Sequence, residues 1–129
     1  MLKKLMKREE GFTLAELLIV VAIIAVLVAI SIPIFTTQLE RSREATDLSN
    51  IRSAYAEAVA DYLAKGANTS VSATVSHINQ TVDNWQTSAT LYTRVDGKES
   101  KVALPSNIAG KSKVTVKVGA DGKVEVTAS

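Results

Sequence analysis

GFTLAELLIVVAIIAVLVAISIPIF, residues 11–35, decides how this chain is read. Across these positions only Thr13, Glu16 and Ser31 carry polar side chains, and Leu17 to Ile30 run without one. As a helix, residues 12–35 span roughly 36 Å at about 1.5 Å per residue, enough for a hydrocarbon core of about 30 Å. Lys3, Lys4, Lys7 and Arg8 precede the stretch. The positive-inside rule then keeps the N-terminus cytoplasmic and exports the rest. An unbroken run of fourteen apolar residues with no polar face argues against a buried helix of a soluble protein. A cleaved secretory signal, with Ala29 to Ser31 as the cleavage site, and a plain single-pass anchor both fit the length. Neither needs Glu16. A carboxylate in a membrane helix costs up to about 3 kcal/mol at the bilayer centre and less near the edge, so it is a functional position when a partner can be named.

The remaining composition sets bounds. Of 129 residues, 47% are apolar and 5% aromatic, and a large share of the apolar ones falls within residues 12–35. Roughly ninety residues follow residue 35, enough for one modest core, which must rest on Val, Leu, Ile and Ala. The net charge of +2 points to no particular partner. With no cysteine, disulfides, thiolate metal sites and cysteine nucleophiles are excluded.

The quoted stretch closely resembles the N-terminus of type IV pilins and pseudopilins, a likeness that extends from Met1 to about Leu63. In that family a prepilin peptidase cuts after the glycine. The resemblance makes Gly11 the end of a leader and Phe12 the new, N-methylated N-terminus. It matches Glu16 to the family's glutamate, which sets subunit register, and Pro33 to the helix proline. Glu9 and Glu10 stand where basic residues are commoner in the family. Cleavage would create an ammonium at Phe12, and a carboxylate in a low-dielectric site needs such a cation. The ammonium of one chain meeting Glu16 of its neighbour would bias assembly toward one register; pairing of Glu16 with its own N-terminus is the alternative. Pro33 leaves the Ala29 carbonyl without its donor, at roughly 3 kcal/mol. Nearby Ser31 offers compensation, and the position is a place for the helix to bend or melt, or simply the end of the membrane span.

Beyond Phe35 the pattern becomes amphipathic. Leu48, Ile51, Tyr55, Val59 and Tyr62 recur at helical spacing, with Ala45, Ala54 and Ala58 beside them. Glu40, Arg41, Arg43, Glu44, Asp47, Arg52, Glu57 and Asp61 are assigned to the other, solvated faces, and Arg43 and Asp47 pair weakly four residues apart. One helix over 13–64 is expected, ending at Lys65-Gly66. GANTS, residues 66–70, is a loop. Residues 73–80 are assigned to a strand on β-branched content, against a competing helical period. Residues 89–104 hold two strands about a turn at Asp96-Gly97. KVTVKVGADGKVEV, residues 113–126, is an amphipathic hairpin. The expected fold is α+β: a long N-terminal helix packed on a small antiparallel sheet, divided as leader 1–11, membrane or filament-core helix 12–35, amphipathic half 36–66 and sheet domain 67–129.

No catalytic constellation, cofactor motif or metal-ligand spacing is present in the sequence. His77 has no second ligand and reads as a strand residue. Lys111, Lys113, Lys117 and Lys123 tilt the hairpin basic, but Asp121 and Glu125 interleave, so a solvated face is favoured over nucleic-acid binding. Sequons at Asn68 and Asn79 carry little weight in a chain whose leader implies a prokaryote. The family resemblance implies a membrane-held precursor that becomes a subunit of a filament at the cell surface. Its partners would be identical subunits, the prepilin peptidase, and an assembly platform with its ATPase. A pseudopilin of a secretion or DNA-uptake machine shares that N-terminus, and the lack of cysteine disfavours a disulfide-dependent uptake pseudopilin. A non-polymerising anchored binding module is the reading from another class.

Overall fold

The structure is a computed structural model and describes residues 12–66, 68–87, 89–95 and 97–129. The leader assigned to residues 1–11, with Gly11, lies outside the described residues. A single helix, α1, runs Leu14–Lys65. The chain divides into two compact units, one ending at Gln38 and one spanning Leu39–Ser129, and α1 contributes to both.

In the first unit every described residue is exposed. Among the described residues the apolar side chains of this part of α1 find no core, and the helix is long and apolar enough to cross a membrane.

The second unit holds five strands: β1 Val71–Val75, β2 Thr90–Val95, β3 Lys98–Ala103, β4 Val114–Val118 and β5 Val124–Ala128. β4 lies between β1 and β5, antiparallel to both, with Val71 opposite Val118 and Val116 opposite Val126. β2 and β3 form a separate antiparallel hairpin, with Leu91 opposite Val102. Gly97, at φ 80, supplies the left-handed residue its tight turn needs. The expected single sheet is therefore two. β3 presents Lys98, Glu99, Ser100 and Lys101 to solvent, the kind of charged edge that resists pairing with a further strand.

Strand alternation and helix period meet in one core. Val114, Val116 and Val118 point inward from β4, with Val71 and Ala73 from β1, Leu91 and Val95 from β2, and Val124 from β5. Against them α1 buries Ile51, Ala54, Ala58 and Tyr62, and Ile108 joins from the loop after β3. The Tyr55 hydroxyl accepts from the Arg94 N–H at 2.7 Å and donates to the Arg94 carbonyl at 3.1 Å, pinning β2 to the helix.

The buried face of α1 does not stop at Ile51. It continues toward the N-terminus through Asp47, Glu44 and Glu40, all buried. These three carboxylates were expected on solvated faces. Each instead takes two backbone N–H groups from residues 79–87. Asp47 accepts from Asn79 N–H at 2.9 Å and Gln80 N–H at 2.9 Å, and from the Asn79 amide at 2.8 Å. Glu40 accepts from Thr81 N–H at 2.9 Å, Val82 N–H at 3.0 Å and the Thr81 hydroxyl at 2.8 Å. Glu44 accepts from the N–H groups of Gln86 and Thr87 and from the Thr87 hydroxyl. Buried carboxylates are stable when hydrogen-bonded in this way.

The same bonds correct three further expectations. The strand placed at 73–80 is β1 at Val71–Val75. Beyond it the N–H groups of Asn79 and Gln80 go to Asp47 rather than to a ladder. His77 thus lies past the strand end, exposed. Arg43 bonds Glu40 at 3.2 Å and the Thr81 hydroxyl at 3.1 Å, while Asp47 is taken by the loop. Burial alone would raise the Glu40 carboxyl, but bonds from the Thr81 hydroxyl, the Val82 and Thr81 N–H groups and Arg43 outweigh it and hold its pKa below the ordinary 4.5. These bonds therefore stabilise the fold fully above the unfolded value, and their contribution is lost as pH falls through the lowered folded value.

Asp47→Ala leaves two consecutive N–H groups without an acceptor and should lower stability by about 2–4 kcal/mol. Urea denaturation of the full chain in detergent, followed by Trp85 fluorescence, measures it. A loss under about 0.5 kcal/mol would mean that water replaces the carboxylate at no cost.

Candidate assembly segment

α1 begins with a reciprocal cap. The Thr13 N–H donates to Glu16 Oε2 at 3.0 Å, and the Glu16 N–H donates to Thr13 Oγ1 at 3.2 Å. The Leu17 N–H reaches the Thr13 carbonyl at 3.1 Å, closing the first helical turn. Thr13-Leu14-Ala15-Glu16 is thus a capping box, with Thr13 as N-cap and Glu16 at the third helical position. The box answers two of the four N–H groups that a helix start leaves open, and it sets a carboxylate at the positive end of the helix dipole.

The sequence reading treated Glu16 only as a charge awaiting a cation. It missed the local role, although Thr-x-x-Glu ahead of an apolar run is itself the signature of a capping box. Phe12, just before the cap, is 67% exposed. Gly11, the other predicted processing residue, is outside the described residues; among the described residues Glu16 is bonded to Thr13. Among the described residues no group bonds Glu16 Oε1, which leaves an acceptor open on an exposed carboxylate.

Pro33 stands inside α1, which continues through it. Ser31 Oγ donates to the Leu27 carbonyl at 2.7 Å, so it does not serve the Ala29 carbonyl as its position suggested. The geometry explains this: a serine hydroxyl in a helix reaches back four residues, not two. Thr36 Oγ1 and Thr37 Oγ1 both donate to the Pro33 carbonyl at 2.9 Å. Three hydroxyls thus bond helix carbonyls directly around the proline. From Leu17 to Phe35 the large apolar side chains are about half exposed or more, a surface suited to lipid or to other helices.

Among the described residues no group of three or more His, Asp or Glu side chains is placed to hold a metal ion. His77 lies in the second unit beside Asn50, Ser53 and Glu57, without a catalytic neighbour arrangement.

Comparison with known proteins bears on this N-terminal segment. Residues 6–32 match the model of the prokaryotic N-terminal methylation motif. The chain is similar to the type IV major pilin protein PilA of Myxococcus xanthus (strain DK1622), with 48% identity over 48 residues, covering 37% of this chain and 22% of that protein. No solved structure matches the chain. The chain thus carries a prokaryotic N-terminal methylation motif and is similar, over part of its length, to a type IV pilin.

Proposed function

We propose that this chain is the precursor of a structural, non-enzymatic subunit that polymerises into a type IV pilus-like filament. The observation that carries the reading is a methylation motif lying on an exposed apolar helix that has no core of its own to enter. The precursor sits in the cytoplasmic membrane through residues 12–35. A prepilin peptidase removes residues 1–11 after Gly11, and Phe12 is N-methylated. An assembly platform and its ATPase then move the subunit into a filament outside the cell, where the apolar helices pack together and the sheet units face outward. Pro33, without an N–H, is the place where the helix bends or melts during that packing. A pseudopilin would share the N-terminal motif; the similarity to a major pilin favours the filament reading.

The capping box refines how Glu16 sets register. Oε2 is held by Thr13, which fixes the carboxylate's direction. Oε1 remains to receive the Phe12 ammonium of a neighbouring subunit. An unpaired charge in lipid is costly, and docking relieves that cost.

The cap and the register role separate by mutation. Thr13→Ala removes the cap, at about 1 kcal/mol, yet keeps the charge; it should still yield filaments. Glu16→Gln keeps a capping box and removes the charge; it should stay in the membrane and leave the sheared filament fraction nearly empty. Normal piliation by Glu16→Gln would reduce Glu16 to a helix cap. Processing is read separately, from the mass and N-terminus of sheared material. A chain starting at methylated Phe12 is expected, and Gly11→Ser should block or slow its formation. A start near Ile32, or retention of Met1, would make the chain a secreted or anchored domain instead.

A further inference from the structure

Residues 79–87 carry no ladder hydrogen bonds of their own, yet they are tied down on two sides. On the helix side the attachments are the three carboxylates of Glu40, Glu44 and Asp47, each spanning two consecutive N–H groups. On the other side Asp83 Oδ1 accepts from the Ala109 N–H at 2.9 Å, the Asn84 N–H donates to the Ser106 carbonyl at 2.7 Å, and the Trp85 indole N–H donates to the Pro105 carbonyl at 3.0 Å. Four of the groups holding this segment are therefore carboxylates.

We propose that residues 79–87 form a strap that lifts off the helix as one unit when Glu40, the anchor that holds Thr81 and Val82, takes up a proton, while the sheets stay folded.

A protonated carboxyl keeps one good acceptor and gains an O–H donor, so it can no longer receive two N–H groups and a hydroxyl together. Adjacent anchors share the strap: Gln80 on Asp47 is followed directly by Thr81 on Glu40. Loss of one anchor therefore loosens the next. The charged group that faces the three carboxylates among the described residues is Arg43, bound to Glu40. From the strap they meet backbone N–H groups, the Thr81 and Thr87 hydroxyls and the Asn79 amide. The bonds to residues 105–109 include one more carboxylate, Asp83. Those residues have no titratable side chain. Nearby His77 is exposed, outside the strap.

A second observation makes the strap's closed state easy to leave. The Gln80 side chain is buried, and among the described residues neither its Nε2 nor its Oε1 has a hydrogen-bond partner. A buried amide with both ends unsatisfied opposes closure, and opening returns it to water. The lowered pKa of Glu40 sets the sense of the switch: closed at neutral pH, open in acid. Opening would uncover Ile78 and Trp85, which pack against the core, and Trp85 is the chain's one tryptophan.

The test uses the full chain in detergent micelles, titrated from about pH 7 to about pH 3. Trp85 fluorescence and amide exchange are followed, with exchange expressed as protection relative to the intrinsic rate at each pH. Protection at Asn79, Gln80, Thr81, Val82, Gln86 and Thr87 should fall together by about tenfold or more, with a red shift of Trp85, before β4 amides change. Simultaneous loss in strap and β4 would mean global unfolding and overturn the proposal, as would pH-independent protection. A transition that His77→Gln abolishes would assign it to that histidine instead and equally overturn it. At neutral pH, Glu44→Gln should loosen all six amides; loss confined to Gln86 and Thr87 would show separate contacts rather than one strap. Gln80→Met should move the opening to lower pH, and an unchanged midpoint would remove the unsatisfied amide from the mechanism.

Discussion

The second unit depends on one helical stripe that changes chemistry part-way along. From Glu40 through Glu44, Asp47, Ile51, Ala54 and Ala58 to Tyr62, successive buried positions are three or four residues apart. The C-terminal part of the stripe meets strands, most of whose backbone groups pair in ladders, so it offers them mainly apolar surface, with the Tyr62 hydroxyl reaching the Ala120 carbonyl at 3.5 Å. The N-terminal part meets residues 79–87, whose N–H groups have no ladder. Burying those groups against leucine would cost about 1–3 kcal/mol for each one left unsatisfied. Carboxylates on the same face resolve the problem, since each has enough acceptor capacity for two N–H groups and a hydroxyl. The acidic and apolar portions are two answers to one packing requirement.

The first unit follows the opposite logic. Its part of α1 has no inward face, because every described side chain points to the surroundings. Whatever lowers the free energy of this surface comes from outside the chain, from lipid or from other helices. Its polar groups are correspondingly sparse and engaged along the helix itself. Thr13 and Glu16 close the helix start, and Ser31, Thr36 and Thr37 return their hydroxyls to carbonyls one turn back. In a medium without water, satisfying donors within the helix is the general condition for spanning.

Much of this was legible before any coordinates. The apolar run, the amphipathic continuation and the alternating valines of residues 114–126 each express a period that side-chain burial enforces, and the long helix, the final hairpin and the hairpin around Gly97 lie where those periods put them. The carboxylates were misplaced for a related reason. A search for apolar periodicity discards acidic positions, so the stripe seemed to begin at Leu48. Extended by the same three- and four-residue steps, it would have reached Glu44 and Glu40. The strand placed at 73–80 failed because β-branched content cannot reveal that a helix carboxylate competes for the backbone of Asn79 and Gln80. In the assembly segment, Thr13 was passed over because Glu16 had been explained by charge alone.

Glu16 shows why one residue can answer to both explanations. A membrane helix start carries open N–H groups and a positive dipole end, so a carboxylate in its first turn is less costly than the same group further in. The cap fixes the side chain's direction with one oxygen, and in the proposed assembly the other would meet a cation. A carboxylate without the cap would sample several rotamers, and a partner's ammonium would have to order it on docking, at a cost in side-chain entropy. A cap without a carboxylate, as glutamine would provide, keeps the geometry and loses the attraction. Under the proposed register role Thr13 and Glu16 would divide the work: the threonine makes the glutamate's position a property of the single helix, and the charge would make that position matter to the next one.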